Sequence, residues 1–200
     1  MDEVLPGIFH WTAFHEGIRL HVNSHYVPGA GALFDPMLPD EGLEWFEGRE
    51  PERIVLSNRH HYRHSDRFRE AFGCPVLCPE PGLHEFKGGP DVEAYAYGDE
   101  VAPGVVAHEA GAICPDDAAL VIRAGGGAVL FADGLIHYGE IGFVPDDYMD
   151  DPPAVKRGMR EAARRLLDED FDALLFAHGE PLPSGGKDAL RRFAEEEEGS

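Results

Sequence analysis

Short apolar runs of strand length, set off by Gly, Pro and Asp turns, recur along this chain and constrain its fold more than any other feature. They fall into two blocks, each closed by helix-forming sequence. In the first block "IRLHVNSHYV" (18–27) alternates apolar and polar residues, and "VPGAG" turns it into a second short strand, "GALFDP" (31–36). "LPDEGLEWFEG" (38–48) reads as a short helix with Leu43 and Phe46 on one side, and "RIVLSN" (53–58) as an apolar strand. Ser65 offers a capping hydroxyl, Asp66 an acid in the first turn and Gly73 a stop, which predicts a helix before the strand "PVLCP" (75–79).

The second block predicts strands over 92–101, 105–113, 118–125 and 128–135, separated by turns at Pro103-Gly104, Pro115-Asp116 and "GGG" (125–127). The helix expected over 153–170 carries a stripe of Val155, Met159, Ala162, Ala163, Leu166 and Leu167. A buried strand (172–179) and a final helix (186–198) follow. Two sheets face to face with helices outside give an α/β fold, a four-layer αββα sandwich, read as a single domain over 1–200. An acidic, frayed tail is expected from about 194 to 200.

Composition narrows the partners. A net charge of −21 argues against nucleic acid and anionic membrane, both of which call for clustered Lys and Arg, and leaves a small-molecule ligand or substrate. The first residues, "MDEVLPGIFHW", have acids where a signal peptide has bases, so a cytoplasmic location is expected. Cys74 and Cys78 would share a strand face, either as a thiol pair or as small buried hydrophobes, with the second reading favoured.

Chemistry in α/β architectures gathers where strands end. Asn58, His60, His61 and His64 follow the strand at 53, in "LSNRHHYRHSD"; Asp133 and His137 follow "AVLFA"; His178 follows "DALLFA". In this layout the chain resembles the metallo-β-lactamase fold. "LHVNSHYVPGAGALFDP" is similar to that family's opening hairpin, "VLFADGL" to its strand ending in Gly-Asp, and "LLFAHGE" to its last ligand strand ending in His-Gly. The family's hallmark, Thr-His-x-His-x-Asp-His, laid on "SNRHHYR" puts Ser57 at the Thr, Asn58 at the first His, His60 at the second, Tyr62 at the Asp and Arg63 at the third His. A further ligand His of the family falls on Ala112.

The resemblance therefore implies a reduced centre. Asn is a poor zinc ligand, and Arg63 carries a charge that guanidinium does not lose. A single zinc or other divalent ion held by His60, Asp133 and His178, with His61 or His64 helping, would give the three-ligand pattern of a catalytic metal. Tyr62 is then a candidate donor to a developing oxyanion and Asp133 a catalytic ligand, with Asn58, Arg59, Arg63 and His137 around the substrate. A metal-dependent hydrolase acting on a small ester, thioester or amide is one expectation. The other is a metal-free binding or interaction module that kept the fold and lost the dinuclear site. The histidines also have a plain reading as hydrogen-bonded loop residues, and the arginines as surface partners of the many acids; His10, His15, His21 and His25 are read as packing or surface residues. Asp35 is expected to brace the pocket loop from behind.

Overall fold

A computed structural model describes residues 1–196; the last part of the expected acidic tail, 197–200, lies outside the described residues. The first sheet holds β1 (Asp2–Leu5), β2 (Ile8–His15), β3 (Leu20–Val27), β4 (Ala32–Phe34), β5 (Arg53–Val55), β6 (Val76–Pro79) and β7 (Glu93–Tyr95), side by side in chain order. The second runs β14 (Ala173–Phe176), β11 (Ala128–Phe131), β10 (Ala118–Ile122), β9 (Val105–Glu109), β8 (Glu100–Ala102). A small hairpin, β12 (Ile136–His137) and β13 (Ile141–Gly142), stands apart. The helices are α1 (Ser65–Phe72), α2 (Pro152–Leu166) and α3 (Gly186–Glu195).

Three apolar layers give the αββα order. Ile8, Phe34 and Val55 of the first sheet meet Val105, Leu120, Leu130 and Leu175 of the second in the central layer. Behind the first sheet, Leu33, Ile54, Leu56 and Val76 pack on Phe46 and Phe68. Behind the second, Val121, Val129, Phe131 and Phe176 pack on Met159, Ala163 and Leu166 of α2 and on Leu190 and Phe193 of α3. Fully burying one such side chain is worth about 1.5–3 kcal/mol, so each layer commits its strands to one facing. The stripe read from α2 faces this layer, and the Asp151 side chain caps the helix by accepting from the Ala154 N–H at 3.1 Å.

Three local expectations are corrected. The strand read over 92–101 is two strands in different sheets: Gly98 takes a left-handed φ of 94°, and the Asp99 side chain accepts from the Ala96 N–H at 2.8 Å, turning the chain between the layers. The helix read over 38–48 is only a 3-10 turn at Leu43–Phe46, since Gly42 (φ 73°) resets the backbone before it; Phe46 is still fully buried. Ser65 does not cap α1. Its hydroxyl is buried without a partner, and His64 occupies the cap position with no side-chain bond to the helix. Cys74 and Cys78 are both buried in the apolar layer behind the first sheet, as small hydrophobes. Among the described residues no helix is long and apolar enough to cross a membrane.

Candidate metal centre

Strand register brings two of the expected ligands together. β11 and β14 run parallel with Phe131 opposite Phe176, so Asp133 and His178, each two residues further on, leave the same sheet end side by side. The third group comes from the other sheet. β4 and β5 are also parallel, with Phe34 opposite Val55, which sets Asp35 next to the start of the loop Leu56–Arg63. The Ala118 N–H donates to the Ser57 carbonyl at 2.9 Å and ties the two sheet ends together.

That loop decides which histidine faces inward. Residues Arg59–Tyr62 form a 3-10 turn capped by Asn58, whose side-chain oxygen accepts from the His60 N–H at 2.9 Å. A 3-10 turn repeats every three residues, so Asn58 and His61 share the inner side while His60 is turned out and exposed. The hallmark's His-x-His spacing had placed His60 inside; the structure places His61 there instead. His61 is buried, with Nε2 3.1 Å from Asp133 Oδ1. His178 Nε2 approaches the same oxygen at 3.1 Å. One ligand atom from each of His61, Asp133 and His178 lies within 4.8 Å of the other two.

This donor set fits a divalent ion. Two imidazoles and a carboxylate are zinc-type ligands, and ligand atoms about 2.0–2.1 Å from a tetrahedral ion stand roughly 3.3 Å apart, near the two 3.1 Å separations. The Asp133 side chain is 25% exposed and that of His178 13%, so the cluster opens to solvent. His61 is held from behind: Nδ1 lies 3.1 Å from Asp35 Oδ2 and 2.9 Å from Ser57 Oγ, and Asp35 also accepts from the Ser57 N–H at 2.7 Å. Imidazoles that bind metal are commonly oriented this way by a carboxylate on the second ring nitrogen. Asp35 thus stands where a brace was expected.

The charges follow from burial and pairing. Burial alone would lower the His61 pKa, but Asp133 and Asp35 outweigh it and Arg63 together and lift His61 to about 9. Asp133 is held well below the usual carboxylate range: burial pushes it up, and His61 and His178 more than reverse that. Asp35 is lowered in the same way by His61, Arg63 and Ser57 against its own burial.

A further acid, Asp117, went unread in the sequence. It is fully buried, accepts from Asn58 Nδ2 at 3.3 Å and from the backbone N–H groups of Asp133 (3.2 Å) and Gly134 (3.1 Å), and burial beside Asp133 lifts its pKa to about 7. Its only sequence signal was an acid pair, Asp116-Asp117, directly before a wholly apolar strand.

The other candidates lie elsewhere. Asn58 is at the centre, but its amide is committed, donating to Asp133 Oδ2 at 2.8 Å. The Tyr62 hydroxyl donates to Asp66 Oδ1 and its ring packs on Phe86, so no free donor is presented to the cluster. Arg59 is paired with the buried Asp116. His64 Nδ1 accepts from the Leu38 N–H at 3.0 Å, which uses it as a loop brace. His137 stacks on Phe176, bonds through Nδ1 to the Glu180 carbonyl, and lines a separate cleft of about 560 Å³ with Phe143, Arg160 and Phe193. Ala112 packs beside Gly158 of α2. Of the early histidines, His10 and His25 form a buried pair, 3.1 Å between Nδ1 and Nε2.

Neither a protein-family model nor a curated protein matches the chain. Solved structures do match. The protein TTHA1623, solved in a di-iron-bound form, is 22% identical, with 90% of this chain and 96% of that one covered at a TM-score of 0.68. The metallo-β-lactamase family protein TTHA1429 from Thermus thermophilus is 16% identical (96% and 79% covered, TM-score 0.67). A B3 metallo-β-lactamase described as having an active-site glutamic acid is 16% identical (97% and 85% covered, TM-score 0.62).

Proposed function

We propose, for a chain that has the metallo-β-lactamase fold, a hydrolase-like role built on one divalent metal ion, zinc or another, held by His61, Asp133 and His178. The observation that carries this reading is the convergence of those three ligand atoms together with the Asp35 and Ser57 brace behind His61. A divalent ion at such a place supplies Lewis-acid polarisation of a carbonyl and acidification of water. The residues do the rest. With an ion bound, the Asp35 carboxylate would accept a hydrogen bond from His61 Nδ1–H and so keep the Nε2 lone pair turned toward the centre. Asn58 donates to Asp133 Oδ2 and leaves Oδ1, which faces both imidazoles, for the ion. The excess of acids over bases disfavours polyanionic substrates, and the resemblance to the metallo-β-lactamase fold favours a small ester, thioester or amide.

A second reading has its own support. As hydrogen-bonded here, His61 bridges Asp35 and Asp133, and every one of these groups is satisfied without an ion. On that reading the chain is a metal-free ligand-binding or interaction module. Metal content after purification without chelator, with melting measured with and without EDTA, separates the two. Near-stoichiometric metal and a chelator-sensitive melt support the enzyme; neither signal leaves the module.

A further inference from the structure

Arg63 is held at two costs that its own bonds do not explain. It has a left-handed φ of 45° despite its Cβ, a conformation that persists only where surroundings impose it. One guanidinium nitrogen donates to the carbonyls of Asn23 (2.6 Å) and Asp35 (2.8 Å), while the other, Nη2, is buried with no partner. A neutral donor could brace two carbonyls. What a neutral donor would not supply is a fixed charge, and the bond to the Asp35 carbonyl seats that charge on the residue whose carboxylate holds His61 from behind, with Asp133 on the other ring nitrogen.

We propose that Arg63 is a positioning residue whose fixed charge takes the electrostatic place of a second metal ion, limiting the centre to one ion and weakening its grip on that ion. This rests on the metal-binding reading above. Guanidinium and a second divalent cation cannot both be neutralised by the same two carboxylates without strong mutual repulsion at site distances. Unlike a bound ion, the guanidinium cannot be chelated away or deprotonated.

The test is calorimetric titration of zinc into chelator-treated wild type, Arg63→Gln, Arg63→Met and Arg63→Lys, each checked for folding by circular dichroism. Gln keeps an N–H for the carbonyls, Met is a second neutral variant, and Lys keeps the charge. The expected result is one zinc in wild type, binding about tenfold tighter or a second ion in a folded neutral variant, and near-wild-type binding in Lys. Weaker or unchanged binding in the neutral variants would mean that Arg63 is only a brace, and would overturn the proposal. If wild type takes no zinc but a neutral variant takes one, the metal-enzyme reading fails and the role of Arg63 stands. If none takes zinc, both fall.

Discussion

Asp35→Asn isolates the brace behind His61 while keeping side-chain size and a residue type that tolerates the left-handed φ of 48° found there. Wild-type Asp35 accepts three bonds: from the Ser57 N–H at 2.7 Å, from the Ser57 hydroxyl, and from His61 Nδ1 at 3.1 Å. In the variant one oxygen remains for Ser57, and the amide –NH2 confronts Nδ1–H of a histidine that is cationic at neutral pH. Removing one partner of a buried charge pair costs about 3–5 kcal/mol. Asp133 still pairs with Nε2, so a loss of about 2–4 kcal/mol is expected. At roughly 2–4 °C per kcal/mol for a chain this size, melting of the metal-free protein should fall by roughly 5–15 °C at pH 7. The gap should narrow near pH 10, where wild-type His61, with a pKa of about 9, has lost its proton and the amide can donate to Nδ1. Scanning calorimetry of both proteins across pH reads this directly. Equal melting at pH 7, or a gap that stays constant to pH 10, would refute the assignment of Asp35 as the partner of a charged His61.

Two further outcomes follow from the same geometry. Because the His61 pKa is raised from 6.5 to about 9, its contribution is complete below about pH 6.5 and lost as pH rises through about 9, so metal-free protein should melt progressively lower from pH 7 to 9.5; zinc-loaded protein, whose His61 has already given up its Nε2 proton, should not show that decline. Gly179→Ala puts a Cβ 2.0 Å from the His137 carbonyl oxygen at a φ of 94°, so it should displace the neighbouring His178 and cut zinc affinity at least tenfold by calorimetry, beyond its effect on melting.

Much of the architecture was legible because strand and helix periods differ and turn residues mark their ends. The α2 stripe and the two strands that precede Asp133 and His178 belong to that class. Where two elements share one apolar run the reading failed, as at 92–101, because nothing in local propensity says which sheet a strand joins. The candidate cluster was legible only in part. Asp133 and His178 stand just past regular strand ends, but the choice between His60 and His61 depends on a 3-10 turn capped by Asn58, which a motif spacing alone cannot see. Asp117 escaped for a related reason: its role exists only through bonds to Asn58, Asp133 and Gly134, which are distant in sequence.

In the proposed centre His61, not His60, joins Asp133 and His178 as a ligand. Cobalt(II) titration of wild type, His60→Ala and His61→Ala, followed by visible absorption, addresses it most directly. His60→Ala should bind as wild type does, while His61→Ala should lose affinity by about a hundredfold or more. Binding abolished by His60→Ala and retained by His61→Ala would contradict it.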